Sequence, residues 1–224
     1  MDFFSRRKYD GQEMTRKKNK LRLVVTAGGT REYLDPVRYI SNASSGRTGY
    51  ALAQAALKAG HRVTLITAPT SLEPPRGADV VQVVSAAQMF AAVKKHFRAC
   101  DVLIMAAAVA DYTPVKKEKA KRKKEKGALT LKLKPTADIL AWAGKHKTKQ
   151  CVVGFALEDR NLKANAGKKL RSKNADMIIA NTPAAIGGEN ACVYLKTPQT
   201  CWVKLQGQKD RLAVLILKAI VKIR

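Results

Sequence analysis

Small residues follow the first strongly apolar run of the chain in an arrangement that could bind phosphate. The run spans residues 21–27, Gly-Gly-Thr follows at 28–30, and Ser-Ser-Gly at 44–46 opens a helical pattern over 46–59. Glycines allow a ligand to approach the backbone, and free N–H groups at a helix start attract anions. The same residues are also typical of an ordinary helix cap with turn glycines, so this pattern alone leaves both interpretations open.

Charged side chains occur where they could neutralise such an anion. Lys169 and Lys173 stand one turn apart on a predicted helix, and Asp111 follows the apolar run 101–108. Residues 116–126 include eight basic and two acidic residues, which is typical of an exposed, mobile loop. Lysines without a ligand would simply be solvated, so their number alone does not establish a site.

The elements that would position these residues alternate between short apolar runs and longer helical patterns. Strands are predicted at 21–27, 62–67, 80–84, 101–108, 151–156 and 176–180. Helices are predicted at 46–59, 86–98, 137–147, 162–173 and near 209–223. This alternation predicts an α/β fold with a doubly wound, mostly parallel, Rossmann-like sheet. Segments 129–133, 191–195 and 201–205 predict antiparallel additions to that sheet.

Charge and composition limit the class of protein. The chain has 224 residues, with 43 Lys and Arg against 17 Asp and Glu, and its net charge of +26 favours an anionic partner. No apolar run is long enough to span a bilayer and the start lacks a secretion signal, so we expect a cytoplasmic protein without membrane contact. The four cysteines lie far apart in apolar runs, and we interpret them as buried thiols.

The distribution of charge also predicts how the chain is divided. Residues 1–20 hold seven basic and three acidic residues with little periodicity, so we expect a disordered basic leader. A single domain is expected over 21–224, with a mobile lysine-rich loop over 113–128.

Several motifs in register resemble one family. TAGGTRE at 26–32 is followed by LDPVRYISNASSGRTG at 34–49, AAAVADY at 106–112, VGFA at 153–156 and DMIIAN at 176–181. Together with Lys169 and Lys173, this pattern is similar to that of phosphopantothenate-cysteine ligase, also called phosphopantothenoylcysteine synthetase. The resemblance covers roughly residues 21–222.

The resemblance implies an activity, co-substrates and partners. Members of the family activate 4′-phosphopantothenate with a nucleoside triphosphate, release pyrophosphate, and pass the acyl group to the amine of cysteine. The bacterial branch implies CTP, although ATP stays open, and Mg²⁺ is implied as cofactor with its ligands unknown. A homodimer is expected. The chain is too short to include the flavin-dependent decarboxylase of bifunctional relatives, so it resembles a free-standing ligase whose decarboxylase would be a separate chain.

The resemblance assigns catalytic and substrate-binding roles within the loops. Asn42 matches an asparagine that contacts phosphopantothenate and assists turnover of the acyl-nucleotide, and Ala108 matches a residue whose backbone contacts the same substrate. Arg38 matches an arginine that holds its loop, although a structural salt bridge would explain it equally well. Lys119 matches a mobile-loop lysine that supports acyl-nucleotide formation. Its register is open, because the same run also offers Lys121, Lys123 and Lys124.

The resemblance also implies a nucleotide site made from several segments. Its residues are Gly28, Gly29, Thr30, Ser45, Gly46, Asp111, Ala137, Asp138, Ile139, Leu140, Phe155, Lys169 and Lys173. Asp111 could accept a hydrogen bond from the ribose or the base, cap its loop, or help hold Mg²⁺. Phe155 could stack on the base or belong to the core.

Two other classes share part of the pattern. A nicotinamide-dependent reductase would have the same sheet and a Tyr112-x-x-x-Lys116 pair, but Pro114 prevents a regular helix turn between them. No compact Gly-x-Gly-x-x-Gly follows the first strand. A nucleic-acid-binding protein would fit the charge, but the lysine run has no interleaved aromatic residues for base stacking. We therefore expect small-molecule substrates rather than nucleic acid.

Overall fold

The computed structural model describes residues 20–124, 126–185 and 188–224. The predicted leader lies outside these residues, except for Lys20. The strands of the main sheet are β1 Arg22–Ala27, β4 Arg62–Thr67, β5 Asp79–Gln82, β6 Val102–Met105, β9 Cys151–Leu157, β10 Met177–Asn181, β11 Asn190–Lys196 and β12 Val203–Gln208. Four short strands outside that sheet are β2 Arg31–Tyr33, β3 Tyr39–Ser41, β7 Tyr112–Pro114 and β8 Leu133–Pro135.

Five α-helices accompany the strands. They are α1 Arg47–Lys58, α2 Ala86–Phe97, α3 Ile139–His146, α4 Leu162–Ser172 and α5 Lys209–Ile223. Each lies within a few residues of its predicted position. In the part of the chain that the structure describes, no helix is long and apolar enough to cross a membrane.

The main sheet has the order β12-β11-β10-β9-β6-β1-β4-β5. Neighbouring strands from β10 to β5 pair in parallel, whereas β11 pairs antiparallel with both β10 and β12. The prediction of a mostly parallel α/β sheet with antiparallel strands near the C-terminus is therefore confirmed. Strand β1 lies between β4 and β6, where the chain order reverses and the loops after β1 and β6 separate.

Helices cover both faces of this sheet, which explains why its strands are apolar without alternation. Val24 and Val25 are neighbours in β1, yet both are buried and they belong to different core clusters. Helices α1 and α5 share the first cluster, whereas α2, α3 and α4 share the second. The sheet thus separates two helical layers.

Four details differ from the sequence-based predictions. Segment 129–133 does not join the main sheet, because β8 begins at Leu133 and pairs with β7 in a separate two-stranded ribbon. Residues 113 and 114 belong to that ribbon rather than to a loop, and the mobility of the rest of 113–128 stays a prediction. The strand expected over 101–108 ends at Met105, and the residues that follow it form a loop. A hairpin of β2 and β3 was not predicted.

The cysteines are not all buried thiols. Cys100 and Cys151 are buried, and desolvation raises the pKa of each to about 12. Cys192 is only half-buried, and Cys201 is exposed in the connection between β11 and β12. That interpretation is therefore wrong for Cys192 and Cys201, which lie on the outer hairpin of the sheet instead of in its interior.

Candidate functional site

A cleft of about 640 Å³ opens at the carboxyl edge of the sheet, where the loops after β1 and β6 diverge. Open parallel sheets bind ligands at this position. Many of the predicted site residues line it: Asn42, Ser45, Gly46, Ala108, Asp111, Ala137, Asp138, Ile139, Leu140, Phe155 and Lys169. Phe155 also packs against the core, so both of its proposed roles agree with its position.

Gly28, Gly29 and Thr30 join the two loops but are not among the lining residues. The Thr30 N–H donates to the Ala108 carbonyl at 3.2 Å, and the Ala108 N–H donates to the Gly28 carbonyl at 2.9 Å. Gly29 must be small, since a Cβ there would lie 2.7 Å from the Asn42 carbonyl oxygen. Their direct contact with a nucleotide stays a prediction, whereas their support of the loops is visible.

Asn42 lies exposed in the cleft beside the loop that follows β6. Its Nδ2 donates to the carbonyl oxygen of Val109 at 3.1 Å. Ala108 lines the same cleft, so the structure brings together the two residues predicted to contact phosphopantothenate.

Helix α1 begins at the cleft without the serine cap that its sequence predicts. The N-cap is Gly46, with φ of +78°, and no side chain caps the helix by a hydrogen bond. This left-handed conformation is accessible to glycine at little cost. The carbonyl of Ser45 instead accepts a hydrogen bond from Thr70 Oγ1 at 3.0 Å. The Arg47 N–H donates a long hydrogen bond of 3.5 Å to Ser45 Oγ. The start of this helix lines the cleft, and the N–H groups of a helix start attract anions.

Asp138 caps helix α3 and pairs with Lys173. Its Oδ1 accepts from the Ala141 N–H at 2.8 Å, and its Oδ2 lies 2.6 Å from Lys173 Nζ. Desolvation alone would raise the pKa of Asp138, but the bonds from Lys173 and Ala141 outweigh it and hold the pKa below its ordinary value. Lys173 is not among the lining residues, and its contact with nucleotide stays a prediction.

Lys169 and Asp111 contribute opposite charges to the same side of the cleft. Desolvation lowers the pKa of Lys169, while the carboxylates of Asp138, Glu158 and Asp111 oppose that change. Asp111 is exposed on a loop six residues beyond the end of β6. Its carbonyl accepts a hydrogen bond from the Thr136 N–H at 2.9 Å, which ties this loop to the segment before α3.

Residues 18–223 match a family model described as the DNA/pantothenate metabolism flavoprotein C-terminal domain. The chain belongs to this family. A coenzyme A biosynthesis bifunctional protein CoaBC from Bacillus subtilis (strain 168) is 49% identical over 166 residues, covering 74% of this chain and 41% of that protein. A cysteine/cysteine sulfinic acid decarboxylase from an unknown prokaryotic organism is 46% identical over 184 residues, covering 81% of this chain and 50% of that protein.

The chain spans about half the length of the curated relatives it matches. A crystal structure of the C-terminal domain of CoaBC has a TM-score of 0.79 at 39% identity, and the match covers 92% of this chain and 95% of that one. The structure of this family member therefore agrees with that of a relative along nearly the whole length of both chains.

In this family member, Arg38 and Lys119 lie outside the residues that line the cleft. Arg38 Nη1 is 3.4 Å from Asp35 Oδ2, and its Nη2 donates to the Arg122 carbonyl at 3.0 Å. Lys119 is exposed in the same loop as Arg122. The structural salt bridge considered for Arg38 is thus present, and the catalytic role of both residues stays a prediction.

Buried Asp35 anchors the lysine-rich loop to the β2–β3 turn. Its Oδ1 accepts from the Val37 and Arg38 N–H groups at 2.8 Å each, and its Oδ2 accepts from the Arg122 N–H at 3.2 Å. The Val37 bond is the largest influence on the pKa of Asp35, and together with the other N–H bonds and the Arg38 charge it holds the pKa below its ordinary value. Sequence reasoning missed this residue, because its only signal was an Asp-Pro turn.

Two further cations in the cleft were also missed. Arg47 and Lys209 are the first residues of α1 and α5, and both line the cleft. Arg47 lies within the SSGRTG motif, but Lys209 belongs to no motif, and only the predicted start of the last helix could have drawn attention to it.

The cleft offers few protein ligands for the Mg²⁺ that the family resemblance implies. Within residues 20–124, 126–185 and 188–224, no group of three or more His, Cys, Asp or Glu side chains could hold a metal ion. Asp138 is paired with Lys173, whereas the exposed Asp111 is available. Mg²⁺ is commonly held by one or two carboxylates together with substrate phosphates, and Asp111 fits that arrangement.

Proposed function

We propose that this chain is a phosphopantothenate-cysteine ligase that joins 4′-phosphopantothenate to cysteine through an acyl-nucleotide, with CTP as the preferred nucleotide. The observation that carries the proposal is the single cleft that gathers residues predicted for two substrates. Asn42 and Ala108 lie there with Asp111, Asp138 and Lys169. Family membership and the match to the CoaBC C-terminal domain support the same reaction.

The first half-reaction brings several negative charges together. The carboxylate of phosphopantothenate attacks the α-phosphate, and pyrophosphate leaves. Catalysis therefore depends on cations and N–H groups that stabilise the developing charge. Lys169 supplies positive charge from the cleft wall, and the start of α1 supplies N–H groups. Mg²⁺, held by Asp111 and the phosphates, would supply further charge neutralisation.

The second half-reaction transfers the acyl group to cysteine. The cysteine amine attacks the activated carbonyl, the nucleoside monophosphate leaves, and an amide forms. Asn42 can both donate and accept a hydrogen bond, and its bond to the Val109 carbonyl fixes it beside the predicted phosphopantothenate contact at Ala108. The amide of Asn42 is therefore suited to orienting the acyl group for attack.

Three broader expectations belong to the same proposal. A homodimer completes the enzyme, the protein acts in the cytoplasm, and a phosphopantothenoylcysteine decarboxylase uses its product. The similarity of the chain to bifunctional CoaBC proteins supports the link to coenzyme A biosynthesis.

The decisive experiment is nucleotide-dependent release of pyrophosphate with 4′-phosphopantothenate and cysteine. We expect release with Mg²⁺ present, a higher kcat/KM for CTP than for ATP, and none without phosphopantothenate. Formation of the amide is followed in parallel by mass spectrometry. No release with any nucleotide would overturn the ligase proposal, and equal or better use of ATP would overturn only the nucleotide preference.

A further inference from the structure

The cations of the cleft differ in whether carboxylates neutralise them. On the α3 and α4 side, Lys173 is paired with Asp138 at 2.6 Å. Lys169 interacts electrostatically with the carboxylates of Asp138, Glu158 and Asp111. That side of the cleft therefore mixes both signs. It suits the base, the ribose and the α-phosphate of a nucleotide better than the denser negative charge of the β- and γ-phosphates.

The opposite side of the cleft presents two cations without such partners. Across the described ranges 20–124, 126–185 and 188–224, neither Arg47 nor Lys209 forms a side-chain hydrogen bond or an ion pair. Burial lowers the pKa of Lys209, and the positive charge of Arg47 lowers it further. Two like charges near each other are unfavourable until an anion binds between them.

The fold explains why these two residues meet although they are far apart in sequence. Strand β12 runs in the same direction as the parallel strands, because β11 is antiparallel to both of its neighbours. Helices α1 and α5 therefore both begin at the carboxyl edge, and their buried faces share one core cluster. Arg47 and Lys209 are the first residue of each helix, so the packing holds both beside the cleft.

We propose that Arg47 and Lys209 bind phosphate groups of the substrates, specifically the β- and γ-phosphates of the nucleotide. This inference rests on the proposed function for the identity of the ligand. Segment 137–140 and Asp111, the predicted nucleoside contacts, line one side of the cleft, and Asn42, the predicted phosphopantothenate contact, directly follows β3. A triphosphate that places its α-phosphate near the phosphopantothenate carboxylate then extends toward α1 and α5.

The 4′-phosphate of phosphopantothenate has the same chemistry and is the alternative source of the anion. The two sources are distinguished by which substrate's KM rises when Arg47 or Lys209 is replaced. Once the reaction has released pyrophosphate, the same two cations would hold that product, so pyrophosphate should compete with the nucleotide at this position.

The first test measures binding of inorganic tripolyphosphate to the full chain by calorimetry at constant ionic strength. Arg47→Gln and Lys209→Gln should each weaken binding on the order of tenfold, since each removes one charge-assisted contact. The matched controls are Arg211→Gln and Lys218→Gln, which remove exposed cations of α5 that do not line the cleft. Equal binding by wild type and both cleft variants would overturn the proposal.

The second test compares steady-state constants for the same variants. We expect KM for the nucleotide to rise on the order of tenfold while KM for 4′-phosphopantothenate changes less than about twofold. A rise in KM for 4′-phosphopantothenate alone would assign Arg47 and Lys209 to the 4′-phosphate and overturn the nucleotide assignment. Lys209→Arg, which retains the charge, should restore most of the affinity lost in Lys209→Gln. Equal weakening in the two variants would indicate damage to the helix start instead and contradict the proposal.

The two proposals can fail separately. If wild type binds tripolyphosphate through Arg47 and Lys209 but releases no pyrophosphate with any nucleotide, the ligase proposal fails and the phosphate site stands. If wild type is an active ligase and the cleft variants bind and turn over like the controls, the ligase proposal stands and the phosphate site fails.

Discussion

At the scale of single residues, Asn42 is the side chain whose neighbours best define a duty in catalysis. Its amide donates to the Val109 carbonyl at 3.1 Å. In Asn42→Asp that bond is lost and a negative charge is added beside the acyl group. We predict that the acyl-nucleotide still forms but passes slowly to cysteine, so that acyl-cytidylate accumulates and is visible by mass spectrometry.

A substitution in the lysine-rich loop should affect formation of the acyl-nucleotide instead of its transfer to cysteine. If Lys119 neutralises charge as the acyl-nucleotide forms, Lys119→Gln should reduce pyrophosphate release on the order of 10²-fold even without cysteine. Single Gln variants of Lys121, Lys123 and Lys124 serve as matched controls. Loss of activity in one of these instead would shift the register within the loop. Normal turnover in Asn42→Asp and in all four lysine variants would contradict the residue assignments.

At the scale of elements, the buried carboxylate of Asp35 connects the β2–β3 turn to the lysine-rich loop. One oxygen accepts the turn N–H groups, and the other accepts the Arg122 N–H. Glu118 adds a second connection through its N–H, which donates to the Leu34 carbonyl at 2.8 Å. These contacts therefore determine the direction in which the lysine-rich loop leaves the β7–β8 ribbon.

Asp35→Asn should separate the two functions of this carboxylate. The amide oxygen can still accept the turn N–H groups, but the amide nitrogen would face the Arg122 N–H, a donor against a donor. We predict faster trypsin cleavage within 116–126 and about tenfold slower pyrophosphate release, with little change in KM for the nucleotide. Glu118→Gln, which removes only a partly exposed ion pair with Arg122, is the control. Unchanged cleavage would show that Asp35 does not hold the loop.

The regular elements were predictable from sequence because burial on both faces leaves a continuous apolar run. Val24 and Val25 show this in β1, where adjacent side chains enter different core clusters. Three-residue strands such as β2 and β7 give no comparable period, so the hairpin and the ribbon were not predicted as such. The first turn of α1 was also mispredicted, since Gly46 in a left-handed conformation replaces the expected serine cap.

The residues of the candidate site also divide into those that could be assigned from the sequence and those that could not. Residues in long motifs, such as Asn42 and Asp111, could be assigned because their spacing matched a family. Arg47 lies in one of these motifs and Lys209 in none, yet neither was assigned. What defines the pair is the packing of α1 beside α5 and the lack of a carboxylate partner within the described residues. Contacts between distant segments leave no local pattern in a sequence.

At the scale of the whole molecule, the exposed large apolar side chains of the described residues fall into two main groups. One surrounds the two small ribbons, and the other lies on α5, where it consists of Val214, Leu215, Val221 and Ile223. Those in or next to β2–β3 and β7–β8 are Val37, Tyr39, Tyr112, Val115, Leu129, Leu131 and Leu133. Clusters of exposed apolar residues of this kind commonly mark a protein interface. They agree with the proposed homodimer, and we predict that its interface lies next to the lysine-rich loop, which joins β7 to β8.

Because the chain carries a net charge of +26, two copies repel each other at long range. Salt screens that repulsion, so the dimer should strengthen as ionic strength rises, whereas binding of the anionic substrates should weaken. We predict that Val37→Glu and Val115→Glu, at side chains that are 58% and 55% exposed, shift the protein toward monomer in sedimentation velocity. Leu215→Glu, on the exposed face of α5, is the control and should remain dimeric. A wild type that sediments as a monomer at every salt concentration would contradict the homodimer, and dissociation by Leu215→Glu alone would move the interface to α5.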